Sequence, residues 1–388
     1  MKFSNEKHDT DIINVVDDFD YSTQDECYNK HFIEWRKRKN NPYAYNFTLN
    51  KKESVFVDGE GFVNKSASEA EMSTLNRILF VIGVALLCSV IIYDVLDKVV
   101  VEILDAVGVN IHNALVSSVI YGGKAEISAI LIIFTVAKFG VPLLIIHMKF
   151  KIPHQVRCPH LMNDPCEVVG TVAATLVASA IVAIPTAYSE ESECIYNFFK
   201  TFNTDMSVFG QKEFIIYSIF DIVIVSIISE SLFRGEMFAA LRQFGDAYAV
   251  IITSVLSGIF TQNFQIMAGT MIISAVSAIG CLRSGTVFSA IIARIVYKIF
   301  LLLLTIISSS NISHVKTVKH IYLMFVLLVG LVTMIVIFSN KERREKTIFA
   351  RYKAYVPMKK KLLAAVKSIP LIVAVVSCLF VAALKLAS

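Results

Sequence analysis

Cysteine is sparse and scattered in this chain: seven in 388 residues, at positions 27, 88, 158, 166, 194, 281 and 378. An odd, unspaced set excludes a disulfide framework. Histidine is absent from the middle of the chain. The eight histidines stand at 8, 31, 112, 147, 154, 160, 314 and 320, so none lies between 161 and 313. Charge is low, with 18% charged residues against 55% hydrophobic. That balance excludes a disordered chain or a stapled miniprotein, and argues against an ordinary soluble enzyme. The N-terminus is polar and acidic, so no cleavable signal peptide is expected. No internal repeat of the transporter kind is evident. His-Glu-x-x-His and Gly-x-Ser-x-Gly are also missing. Leu282-Arg283-Ser284-Gly285 lacks the first glycine of the latter, and Gln243-Phe244-Gly245-Asp246 misses the Gly-x-Gly-Asp of aspartyl intramembrane proteases.

What is present is a series of apolar runs, several of which reach the ~20 residues that cross a hydrocarbon core. The runs predict nine spans: Leu75–Tyr93, Ile127–Met148, Val168–Tyr188, Phe214–Phe233, Ala247–Phe264, Ile266–Leu282, Val287–Ile307, Ile321–Phe338 and Ile369–Leu386. Between the first two, acids alternate with Val95, Leu96, Val99, Val100, Ile103 and Leu104 from Asp94 to Asp105. That spacing predicts an amphipathic helix lying on the surface.

The net charge of +5 hides a segregation. Residues 1–72 hold ten Lys/Arg against fourteen Asp/Glu, whereas residues 340–367 hold ten Lys/Arg and two acids. Loops 149–160, 234–246 and 340–367 are basic, and loops 94–126 and 189–213 are acidic. Nine spans put every basic loop on one side. The positive-inside rule makes that side the cytoplasm, with the N-terminus inside and the C-terminus outside. A basic stretch between apolar spans sets orientation rather than binding nucleic acid. The expected partner is membrane lipid, in a multi-pass protein of the plasma membrane. Residues 1–72 read as a polar cytoplasmic tail or subdomain, part of which would pack on the membrane domain or a partner. The run Arg36-Lys37-Arg38-Lys39 in it reads as a solvated face near anionic lipid.

Charges inside spans default to functional hypotheses. Here they are Lys138, Asp221, Glu230, Arg294 and Lys298, with Arg234 at the end of the fourth span. Glu230 and Arg234 are four apart and share a helical face, as do Arg294 and Lys298. A buried Glu230 facing Arg294 or Arg234 would answer the charge problem of each. His154, Cys158, His160 and Cys166 place four soft ligand types in thirteen residues, but match no zinc-finger spacing, and no metal or other cofactor is expected.

Ser229-Glu230-Ser231-Leu232-Phe233-Arg234-Gly235 resembles the first motif of the CAAX protease and bacteriocin-processing (CPBP, or Abi) family of intramembrane endopeptidases. That family carries Glu-Glu-x-x-x-Arg at the end of a transmembrane helix, usually followed by Gly. Leu241, Gly245 and the run Ala249 to Phe260 sit where its next helix begins, and Arg283-Ser284-Gly285-Thr286 resembles the turn before its last motif helix. The resemblance covers about residues 210–300. It implies an all-α, polytopic transmembrane helical bundle of about nine spans with a CPBP-like core. A transmembrane domain at 73–308 would contain that core, and 309–388 would hold the last spans around the basic loop 340–367.

In the family, the first glutamate activates a water with help from a histidine on the next helix, and the second works with a later His-x-x-x-Asn. Here the first glutamate is Ser229. The second helix aligns as Ser257-Gly258-Ile259-Phe260-Thr261, placing Thr261 at the histidine. The last motif aligns as Arg294-x-x-x-Lys298, so cations replace His and Asn. Only Glu230 and Arg234 are retained. The missing imidazole removes the usual ligand or base, and Arg294 would leave Glu230 ionised but occupied, a poor base. The resemblance thus implies a degenerate member that binds a membrane or lipidated partner, or serves in peptide immunity or assembly. The alternatives are an active endopeptidase, with Glu230 as base and Thr261 and Ser229 positioning water, and a transporter component with Lys138 and Asp221 on its pathway.

Overall fold

The structure, a computed structural model, describes residues 26–38, 41–44, 53–57, 61–65, 67–113, 120–159, 164–188, 212–309, 314–345, 349 and 356–387. His160, Cys194 and most of the acidic loop 189–213 lie outside them. In lipid every backbone N–H and C=O must find a partner within the protein, and the helix is the local way to provide it. The described residues are accordingly helical, apart from two small hairpins.

Helix α1 (Glu26–Lys37) precedes an antiparallel hairpin of β1 (Glu53–Val57) and β2 (Gly61–Lys65). Helix α2 (Ala67–Ile91) runs through a π turn at Ile92–Leu96 into α3 (Asp97–Ala106). A second hairpin pairs β3 (Ile111–Asn113) with β4 (Ile120–Gly122). Then come α4 (Lys124–Phe150) and α5 (Pro165–Tyr188). The next span is assembled from α6 (Lys212–Phe220), α7 (Ser226–Glu230) and α8 (Phe238–Arg242), joined by π turns at Asp221–Val225 and Ser231–Met237. Helices α9 (Asp246–Ile259), α10 (Phe264–Ser284), α11 (Phe288–Ser309) and α12 (Val315–Phe338) follow. Helices α13 (Met358–Lys367) and α14 (Ile369–Ala387) end the chain with a 70° bend between them.

Among the described residues, seven helices are long and apolar enough to cross a membrane, or eight if the bent α13–α14 pair is one span. The expected count of nine is corrected by α9. It has 14 residues, roughly 21 Å at 1.5 Å each, short of a ~30 Å hydrocarbon core. The chain turns just beyond it, where Gln262 takes the left-handed φ of 56°. The expected surface helix at Asp94–Asp105 is also corrected. A continuous helical segment, Ser68–Ala106, carries it as an extension of the first span.

The inward face of α5 explains how these helices pack. Thr171, Thr175 and Ser179 each donate a hydroxyl hydrogen bond to the carbonyl four residues back, at 2.8, 2.8 and 2.6 Å. Their polarity is satisfied within the helix, and their small size lets neighbours approach closely. Outward, Ile133, Ile216 and Phe325 are exposed where lipid tails would meet them.

The basic segments gather at one end of the bundle. Trp35 Nε1 of α1 donates to the Phe150 carbonyl at 2.9 Å, and Thr286 Oγ1 to that of Pro159 at 2.7 Å. Arg343 reaches Asp164 at 2.9 Å, and Lys361 of α13 reaches Glu71 of α2 at 2.5 Å. Phe32 and Trp35 are fully buried in the core cluster that also contains Leu75, Leu241 and Ala374. Arg36 is buried beside Phe32, 5.8 Å from its ring centre, so the solvated face expected for Arg36–Lys39 is corrected at its first residue. Lys37 and Arg38 are exposed.

Candidate functional site

Glu230 ends α7, just where the backbone widens into the second π turn. Such widened turns re-aim side chains and recur at functional sites. Glu230 is 1% exposed. Its Oε2 lies 3.5 Å from Arg234 Nε on the same helix face, and its Oε1 lies 3.3 Å from Arg294 Nε on α11. Neither carboxylate oxygen receives a hydrogen bond, so charge alone holds it there.

The two arginines are anchored elsewhere. Arg234 Nη1 donates to Thr253 Oγ1 on α9, and its Nη2 to the Ser274 carbonyl on α10 at 2.6 Å. Arg294 Nη2 donates to Ser257 Oγ at 3.2 Å, and Ser274 Oγ donates to the same oxygen at 2.8 Å. Helices α9, α10 and α11 therefore converge on Glu230 through the two arginines and the hydroxyls that hold them. They can do so because Gly258 lies against α10, where a Cβ would stand 2.2 Å from Met271 Cγ and 2.8 Å from the Met267 carbonyl oxygen. Gly235, next to Arg234, likewise faces the Arg157 carbonyl, which a Cβ would approach to 3.1 Å.

Beside this cluster is a cavity of about 160 Å3. Ser229, Thr261, Arg294 and Lys298 all line it, and Glu230 does not. The four substituted motif positions thus share one space, with the retained glutamate walled off behind Arg294. The hydroxyls are already engaged: Ser229 donates to the Ser226 carbonyl at 3.2 Å and Thr261 to that of Gly258 at 2.7 Å. Lys298 Nζ donates to the Asp221 carbonyl and to Asp221 Oδ1, both at 2.8 Å.

Lys138 and Asp221 line the same cavity. Lys138 Nζ donates to Gln262 Oε1 at 2.8 Å and lies over the ring of Tyr93, 4.3 Å from its centre. Gln262 in turn donates to Asp94 at 2.5 Å. Sequence reasoning did not single out Thr253, Ser257, Gln262 or Ser274 as functional. Thr253, Ser257 and Ser274 are signalled only by polarity inside otherwise apolar helices, and Gln262 only by polarity in the turn between α9 and α10.

The retained glutamate does not line the cavity, and the carboxylate that does, Asp221, is held by Lys298, so neither stands free as a general base. Such a group must stand within hydrogen-bond reach of the proton it removes, directly or through one water, and Glu230 is sealed from the space. Among the described residues, no group of three or more His, Cys, Asp or Glu gathers as a metal site. In the loop at 151–159, burial pushes the Cys158 thiol up despite the neighbouring Arg157 charge, away from the thiolate that a metal needs.

Comparison with known proteins bears on this segment alone. Residues 211–300, under a quarter of the chain, match the family model of the Type II CAAX prenyl endopeptidase Rce1-like proteins. The match spans α6 to the middle of α11 and so contains Ser229, Glu230, Arg234, Thr261, Arg294 and Lys298. No curated protein and no solved structure matches the chain.

Proposed function

We propose that this multi-pass, CAAX-protease-like membrane protein no longer cleaves peptide bonds and acts by binding a membrane or lipidated partner in the former catalytic cavity. One observation carries the reading: all four substituted motif positions line the cavity, while the retained Glu230 is shut behind it between two arginines. A hydrolase needs an activated water at the scissile bond. At the motif positions these walls offer two hydroxyls bonded to their own backbone and two cations, and the lining carboxylate, Asp221, is held by Lys298. We place the basic end and the N-terminus at the cytoplasm, because the basic segments collect there.

A transporter reading rests on Lys138 and Asp221, which do line the cavity. No lining residue comes from the basic-end loops, which favours a pocket over a path.

The test is proteolysis by the full chain in liposomes. Wild type and Glu230→Gln would be given prenylated CAAX peptides, with and without a chelator, beside an active family member. No cleavage by either form is expected. Cleavage by wild type that disappears in Glu230→Gln would establish an active endopeptidase and overturn the proposal.

A further inference from the structure

The cavity has an uneven charge. Its ionisable Lys, Arg and Asp walls are Lys138, Arg294 and Lys298 against Asp221 alone. Behind the wall stand Glu230 beside Arg234, Asp94, which reaches Lys138 through Gln262, and Asp97 near Tyr93, so the cationic excess belongs to the lining itself. Unbalanced positive charge at membrane depth is costly, because no water is there to solvate it.

The charges are also graded by depth. Lys138 is 6% exposed and the Arg294 side chain 8%, whereas the Lys298 and Asp221 side chains are 19% and 25% exposed. The Asp221–Lys298 pair therefore stands at the mouth. Two of the three Lys298 N–H donors go to Asp221, which leaves one for a ligand. Beyond the pair the walls are Ile222, Leu301 and Leu302, and the adjacent outer surface carries the exposed Ile219 and Val223. An opening beside this pair, between α6 with its π turn and α11, would face lipid.

We infer that the cavity seats the oxyanion head of a single-chain amphiphile, a carboxylate or phosphate held by Arg294, Lys298 and Lys138, with its tail leaving past Ile222 and Leu302 into the bilayer. The volume suits this ligand. About 160 Å3 is roughly five waters' worth, enough for such a head and the first carbons of a chain. Charge-assisted hydrogen bonds to the oxyanion would supply the affinity. The inference rests on the binding reading above and names its ligand class.

The experiment uses the full chain in nanodiscs of zwitterionic lipid. Binding of dodecyl phosphate and dodecanoate is compared with that of dodecanol, dodecyltrimethylammonium and inorganic phosphate, by native mass spectrometry and by the shift in thermal unfolding. The two anionic amphiphiles are expected to bind, and the other three to bind at least about tenfold more weakly. Lys298→Gln should weaken dodecyl phosphate about tenfold, and Asp221→Asn should tighten it by a similar factor. The second variant acts in the opposite direction, so a folding defect cannot mimic it. Equal binding of dodecanol, preference for the ammonium, inorganic phosphate binding as tightly as its alkyl ester, or indifference to both substitutions would each overturn the inference. A protein that neither cleaves peptide nor binds the anions overturns only this inference. One that cleaves overturns the reading beneath it.

Discussion

Glu167 and Glu230 are both buried carboxylates facing arginine, and they are held in opposite ways. Glu167, at the basic end, takes two parallel hydrogen bonds from Arg283, Nε to Oε2 at 2.7 Å and Nη2 to Oε1 at 3.0 Å, while Arg283 Nη2 also donates to the Arg343 carbonyl at 2.8 Å. This is the bidentate geometry in which such pairs are strongest. Glu230 has two guanidiniums at 3.3 and 3.5 Å and a hydrogen bond from neither. Its arginines spend their donors on Thr253, Ser257 and the Ser274 carbonyl. The first site is a fastener between α5, α10 and the chain after α12. The second is a place where charge is gathered without being matched, and an unmatched buried group in a native protein asks for a reason other than stability.

That contrast predicts unequal losses. Arg283→Met leaves Glu167 buried without its partner and should cost about 3–5 kcal/mol, the range for half of a buried pair. Glu230→Gln should cost less, roughly 1–2 kcal/mol, since no hydrogen bond made by Arg234 or Arg294 depends on it. Thermal unfolding of both in one detergent checks the ranking. An equal or larger loss at Glu230 would make it the fastener and remove the contrast.

The next effect concerns the packing that gathers the charge. Gly258→Ala puts a methyl group against the Met267 carbonyl, which cannot yield, and against Met271, which can. Overpacking of this kind costs about 1–3 kcal/mol. It should also push α9 from α10 and so weaken dodecyl phosphate binding, because Ser257 and Ser274 come from those two helices. Loss of stability with unchanged binding would show that the hydroxyl cluster does not set the position of Arg294.

How much of this was legible beforehand follows from the range of each signal. The order of apolar helices and the gathering of basic loops at one end are local properties, and hydropathy and charge carry them. The Glu230–Arg234 spacing fixed their shared face, because four residues is nearly one helical turn. The shortness of α9 was missed rather than hidden: the polar Thr261-Gln262-Asn263 breaks the apolar run after Phe260, and the expected span was carried across it to Phe264, although the left-handed conformation at Gln262 has no sign in hydropathy. The Asp94–Asp105 segment has the 3.6-residue period of a helix whether it lies flat or extends a span, so its direction was not encoded locally. Thr253, Ser257 and Ser274 meet only in three dimensions. A small hydroxyl inside an apolar helix gives no periodic sign of what it faces, since it can equally bond its own backbone, as Thr171 does.

The smallest effect on stability should be the most telling. Lys138 is buried under Tyr93, donates to Gln262 Oε1 and lines the cavity wall. If the fold required that charge, Lys138→Met would cost several kcal/mol, as at Arg283. Replacing a buried charge by an apolar side chain of similar length is often neutral or stabilising when the remaining partners keep other contacts. Gln262 does so here through Asp94. The expected result is a change in unfolding free energy within about 1 kcal/mol, together with a severalfold loss of dodecyl phosphate binding. Stability and binding would then separate at a single residue. A large destabilisation would place Lys138 with Arg283 among the fasteners, and the cavity would have two functional cations rather than three.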